Sequence, residues 1–208
     1  MDLAAAIRGT VAANPTALNF GSGAALHNTV QLSLTNVSAV SETYTFQVVP
    51  TGNAPAPSID ADSVALNPGA AQQVTVSLDA ADLAPGEYAG YLLVTGTATG
   101  TVARIPYWFG VPGSTPVAIS ILYQDHYDSV RSSSFGAVVF RVVDASGLPY
   151  SGALRPQISV AGSGTVRNLY RAGDIPGTYA VDIRTGTSNM QLNFTIGDVT
   201  SNVIIPVF

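Results

Sequence analysis

The chain has 208 residues, 20 of them Gly and 13 Pro, with two Met and no Cys, which is long enough for two domains that each bury about 65% of their unfolded surface. Charged residues make up only 10%, all eight cations are arginine and the net charge is −5, so the basic stripe that a nucleic-acid or anionic-membrane partner requires is missing. The lack of Cys removes disulfides, thiolate catalysis and cysteine-bound zinc, and no apolar run reaches the ~18 residues of a membrane helix.

Residues 2–9 (DLAAAIRG) are the one helix-like stretch. Leu3, Ala6 and Ile7 share a face, and Asp2 suits the N-cap. About eight residues make a marginal helix in water, so this segment is expected to pack on something beyond an all-β chain. From there alternation counts seven strands. The first covers 17–20, Val30, Leu32 and Leu34 share a face of the second, and Tyr44, Phe46 and Val48 share one of the third. Val64 and Leu66 precede the turn Asn67-Pro68-Gly69, and Val74, Val76 and Leu78 follow it. A polar crossover over 79–83 leads to Pro85-Gly86, a tight turn, and Tyr88 then enters a strand with Gly90, Leu92 and Val94. Residues 102–109 return as the seventh strand.

Pro112-Gly113-Ser114-Thr115-Pro116 reads as a stiff linker. Beyond it, 137–143 is a nearly continuous apolar strand, and further strands are expected over 155–160, 165–170, 179–183, 190–196 and 203–207. Turns are expected at 162–164 and at Gly186-Thr187-Ser188. The opening of the sixth strand recurs: Pro176-Gly177-Thr178-Tyr179-Ala180 repeats the Pro-Gly-x-Tyr-Ala of Pro85 to Ala89, at a spacing near the ~100 residues of an immunoglobulin-type sandwich. A tyrosine after such a turn suits a tyrosine corner, its ring inward and its hydroxyl bonded to backbone. The expectation is an all-β chain of two tandem immunoglobulin/fibronectin type III-like sandwiches joined by a short Pro/Gly linker.

The run FG at 20–21, LTNVS at 34–38, LNPGAAQQVTVSL, PGEYAGYLLV and RIPYWFGV resembles the fibronectin type III-like domain of bacterial subtilisin-like serine proteases across about ninety residues. DLAAAI is similar to the closing helix of their catalytic domains. VVFRVVDASGLPYSG, ISVAGSGTV and DIPGTYAVDI resemble the immunoglobulin-like modules of invasin-type surface proteins. These resemblances imply a residual helix over 1–13, a fibronectin type III-like sandwich over 14–111, a linker over 112–116 and an immunoglobulin-like sandwich over 117–208. They imply the non-catalytic C-terminal region of an exported bacterial protease, cut from a longer chain, with the upstream protease domain as partner and a cell-surface or protein ligand open. The rival reading is an adhesin or surface stalk that binds at its loops.

No catalytic residue is expected. A serine-protease triad needs Asp, His and Ser delivered together with an oxyanion donor; His27 and His126 sit in polar loops, and Ser188 follows Gly-Thr in a turn. No cofactor is expected. Calcium wants several converging oxygens, and Asp60 with Asp62, and Asp125 with Asp128, are candidates of low density. Trp108, between Tyr107 and Phe109, faces opposite to them on a strand, which favours packing over a sugar platform. Such a platform would otherwise draw on Tyr44, Tyr91 and Tyr107. Asn36-Val37-Ser38 and Asn193-Phe194-Thr195 spell glycosylation sequons.

Overall fold

The computed structural model describes residues 9–126 and 128–208. Among the described residues there are fourteen strands and no helix. The chain divides into two compact units, Met1–Val111 and Pro112–Phe208, each all-β with its own apolar core. The helix expected over 2–9 lies outside the described residues apart from Gly9.

The first unit contains β1 (Val11–Asn14), β2 (Leu18–Ser22), β3 (Leu26–Asn36), β4 (Glu42–Pro50), β5 (Ser58–Ile59), β6 (Ser63–Leu66), β7 (Ala71–Ala80), β8 (Gly86–Gly96) and β9 (Val102–Val111). One sheet has the order β1-β3-β7-β5, the other β2-β9-β8-β4-β6, and all pairs are antiparallel except β2 with β9. Alternation delivers Leu32, Leu34, Tyr44, Val76, Leu92, Tyr107 and Phe109 to one core. Each such side chain contributes about 1.5–3 kcal/mol on burial.

Alternation missed β1 and β5, so the seven strands counted from sequence are nine. The correction at β1 matters, because Val11 to Ala13 fall in the segment expected to be a protease's residual helix. β1 instead pairs with β3, Val11 opposite Asn36. The Thr10 carbonyl accepts the Tyr44 hydroxyl at 2.7 Å and the Val37 N–H at 2.9 Å. Residues 10–13 are thus part of the first sandwich; an Ala-rich stretch carries too little contrast between its two faces to show a period of two.

The second unit contains β10 (Ala118–Gln124), β11 (Ser133–Val143), β12 (Gln157–Arg171), β13 (Thr178–Ile196) and β14 (Val199–Ile205). The order is β10-β11-β13-β12, with β14 also paired to β13. The first half of β13 pairs with β11 and with the end of β12; the second half pairs with β14 and the start of β12. Between the halves the register jumps from Thr185 opposite Gly164 to Met190 opposite Gly162, and the sheet folds back there. Phe140 of β11 meets Phe194 of the second half with ring centroids 4.8 Å apart, so both layers share β12 and β13.

The turns expected at 162–164 and 186–188 are therefore bulges facing one another inside two continuous strands. Gly162 and Gly164 adopt φ of +88° and +150°, and a Cβ at Gly162 would meet the Asn189 carbonyl oxygen, so glycine is required for this crossing. The recurring Pro-Gly-x-Tyr-Ala also marks two different corners. Tyr88 enters β8, which pairs with β9, the last strand of its unit. Tyr179 enters the half of β13 flanked by β11 and β12, whereas the last strand, β14, pairs with the other half.

Candidate functional site

The tyrosine after the first turn pins its own corner. The Tyr88 hydroxyl donates to the Ala84 carbonyl at 2.7 Å across Pro85 and Gly86, and its ring stacks on Phe109 at 5.0 Å. Tyr88→Phe removes one such bond and is expected to cost about 1 kcal/mol, read as a lower urea midpoint for the 1–111 unit at unchanged slope. Tyr179 is buried and stacks on Phe140 at 5.4 Å. Pro176 offers its carbonyl to the Thr178 hydroxyl. Gly177 has φ +65°, and a Cβ there would sit 2.9 Å from the Val142 carbonyl oxygen, so this turn tolerates only glycine without strain.

Trp108 is half-buried, while Tyr107 and Phe109 lie in the core, and the Tyr107 hydroxyl donates to the Pro55 carbonyl at 3.1 Å. Burial pushes the Tyr44 and Tyr107 hydroxyls up from their ordinary values. With both rings buried, only Tyr91 of the three sugar-platform tyrosines is exposed.

The candidate calcium carboxylates do not converge. Asp60 accepts the Thr75 N–H at 2.9 Å, and the bonds from Thr75 hold its carboxyl below the usual range; Asp62 is exposed. Asp125 accepts the hydroxyls of Tyr123 and Ser134, which raises the Tyr123 hydroxyl. Asp128 accepts the Ser129 N–H through Oδ1, and its Oδ2 is buried without a partner among the described residues. Among the described residues no group of three or more His, Cys, Asp or Glu side chains is placed to hold a metal. His27 forms an exposed pair with Asp79 at 2.7 Å. His126 is exposed, and Ser188 is exposed on β13.

Three buried polar side chains hold loops and turns in place, and of them the sequence singles out only Asn36, as part of a sequon. Asn36 is fully buried: its amide donates to the Val40 and Leu66 carbonyls, and its oxygen accepts Ser38 N–H and hydroxyl. Its sequon is internal structure. Asp144, 5% exposed, accepts the N–H groups of Ser146 and Leu148, each at 2.9 Å, and that of Gly113. Ser151 also donates to the Pro112 carbonyl, so the start of the expected linker is tied to the second sandwich.

Glu42, 3% exposed, accepts the Ala98 N–H through Oε1 at 2.6 Å beneath the 96–101 turn, while Oε2 has no partner among the described residues. The Ala98 N–H, helped by Thr99, holds the carboxyl below its ordinary value of 4.5 against the opposing pull of burial. A depressed folded-state value stabilises the protein above the unfolded value, and that contribution is lost as pH falls through the folded one. Glu42→Gln is therefore expected to differ most from the parent at neutral pH and to converge with it as pH falls below 4.5 and through the lower folded-state value, as read from urea midpoints along a pH series.

The surface feature that stands apart is the edge formed by β14. Its seven residues, VTSNVII, carry no charge and no proline, and pair with β13 in unbroken register from Val199 to Ile205. Among the described residues its other edge bonds to no backbone, although β10 runs close beside it. The chain that follows is closed instead: Asp128 and Val130 donate to the carbonyls of Pro206 and Phe208, and Phe208 donates back to Asp128. Thr200, Asn202 and Ile204 point outward, Ile204 being 51% exposed. The contrast is with β12, whose edge holds Arg167, Arg171 and the Gly162 and Gly164 kink, and with β10, whose register breaks at Leu122. Charges, kinks and bulges are how edges are kept from pairing with other chains; β14 has none.

No family model matches the chain, and no curated protein does. Among solved structures it is similar to the Pseudomonas aeruginosa CupB2 chaperone, at 11% identity over 94% of this chain and 100% of that one, with a TM-score of 0.40. It is similar to a chaperone–tip adhesion subunit pre-assembly complex from archaic chaperone-usher Csu pili of Acinetobacter baumannii, at 10% identity over 96% and 100%, TM-score 0.40. It is also similar to PapD-like domain 7 of human CEP192, at 12% identity over 51% and 87%, TM-score 0.40. The expected kinship with subtilisin-like proteases is corrected accordingly: these are chaperone and PapD-like domains, residues 10–13 belong to a sandwich and not to a catalytic domain's last helix, and an upstream protease domain is withdrawn as partner.

Proposed function

We propose that the chain is a non-catalytic protein-binding module in which β14 captures an extended segment of a partner protein. The observation that carries this reading is the regular, uncharged and unpaired edge of β14 in a unit whose other edges are charged and kinked, in β12, or broken by a bulge, in β10. A strand added there gains main-chain hydrogen bonds along seven residues, and the alternate side chains that flank Thr200, Asn202 and Ile204 set its preference. With those three positions polar or aliphatic, the partner segment is itself poor in charge and rich in Thr, Val and Ile.

The same proposal keeps the fibronectin type III-like domain at 14–111, joined now by residues 10–13, the link at 112–116, the immunoglobulin-like domain at 117–208, and a setting outside the cytoplasm. The test is amide hydrogen exchange with a seven-residue alternating Thr-Val peptide. Alternate amides of β14 are expected to gain protection, and Thr200→Lys with Asn202→Lys to abolish the gain while the fold is retained. Exchange along β14 unchanged by saturating peptide overturns the reading.

A further inference from the structure

We propose that the second sandwich carries a binding site, separate from the β14 edge, for a small monocarboxylate with an aromatic or branched apolar body. The site is a cleft of about 270 Å³ lined by Arg155, Pro156, Leu169, Tyr170, Arg171 and Tyr179. The fold brings these together: Arg155 and Pro156 lead into the start of β12, Leu169 to Arg171 close its far end, and Tyr179 lies opposite Arg171 on β13. Pro156 and Tyr179 are buried and Leu169 half-buried, so the walls they supply are apolar.

Charge decides the ligand. The second unit holds six arginines and six aspartates, whereas the first holds two arginines and seven acids. Among the described residues the only ion pair is His27 with Asp79, so neither Arg155 nor Arg171 has a carboxylate partner. The nearby Asp182 does not line the cleft; its Oδ1 accepts the Gly136 N–H at 2.9 Å and the Tyr170 hydroxyl at 3.2 Å. Burial and the Asp182 charge raise the Tyr170 hydroxyl, leaving it neutral. Two guanidiniums, each able to fork onto a carboxylate, thus flank one apolar cleft with no anion of the chain's own between them.

The volume sets the size. At about 270 Å³ it lies just below the roughly 300–1,000 Å³ of drug-sized ligand pockets, which suits a single ring or branched chain bearing one carboxylate. The rings of Tyr170 and Tyr179 favour the ring.

Titration of the chain with phenylacetate, followed by amide chemical shifts, tests the proposal. Saturable shifts confined to Arg155, 169–171 and Tyr179 are expected, at least tenfold weaker with Arg155→Gln/Arg171→Gln and unchanged with Arg167→Gln, whose side chain lies outside the cleft. Phenylacetamide, which keeps the ring and loses the charge, is expected to bind at least tenfold more weakly, and so is inorganic phosphate. Equal shifts with phenylacetamide overturn the charge argument, equal shifts with phosphate overturn the apolar one, and absence of saturation with phenylacetate in a folded protein overturns the site. The Lys pair on β14 leaves this binding intact, so failure of one proposal is distinguishable from failure of the other.

Discussion

Asp144→Ala is expected to destabilise the 112–208 unit by about 3 kcal/mol or more. The carboxylate accepts three backbone N–H groups, those of Gly113, Ser146 and Leu148, and is itself 5% exposed. Bonds to a charged acceptor are worth about 1.5–3 kcal/mol each, and a buried N–H left without a partner costs about 1–3 kcal/mol. The loop closed by Asp144 is held by the Gly147 N–H on its carbonyl and by Asp144 N–H on the Leu148 carbonyl, so without the carboxylate the turn keeps its backbone bonds but loses its centre. Asp144→Asn retains one acceptor oxygen and places an N–H₂ where a donor already points, so it is expected to recover less than half of the loss. Urea unfolding of the three proteins, with exchange rates at 113, 146 and 148, checks both statements; full retention of stability in the alanine variant would show the carboxylate to be dispensable.

Phe140→Ala is expected to cost about 3–5 kcal/mol. Phe140 is fully buried and touches Tyr179 in the first half of β13 and Phe194 in the second, so its ring spans the two layers. The loss combines the transfer of a large apolar side chain, the cavity left behind and two aromatic contacts worth about 0.5–1.5 kcal/mol each. Phe140→Leu fills most of the space and is expected to cost less than half as much. A melt of the alanine variant in which the 112–208 unit keeps its midpoint would mean that the layers are not joined through this ring.

How much of this was legible in the sequence depended on contrast. Strands β3, β7, β8 and β9 alternate between large apolar and polar residues, as in Val74-Thr75-Val76-Ser77-Leu78, and a period of two locates them directly. β1 was hidden because Val11-Ala12-Ala13 has no polar face, and β5 because two residues have no period. Gly162, Gly164 and Gly186 read as breakers, yet each allows a kink inside a strand; only the cross-strand register, which joins residues more than twenty positions apart, separates a bulge from a turn. Tyr88 was visible as a corner from the Pro-Gly before it, but Asn36, Glu42 and Asp144 were not, since a polar letter does not announce that it will be buried. The β14 edge is equally silent: whether a strand has one neighbour or two is a property of topology. The arginine cleft unites residues of three separate segments and has no local signature at all.

The sharing of β12 and β13 between both layers has a mechanical consequence. In a sandwich of two independent sheets, one sheet can peel away and leave the other as a partly ordered remnant. Here any opening of one layer pulls on strands that also build the other, so the 112–208 unit is expected to lack a half-open state and to lose its slowest-exchanging amides, on either side of the 186–189 crossing, in one concerted event.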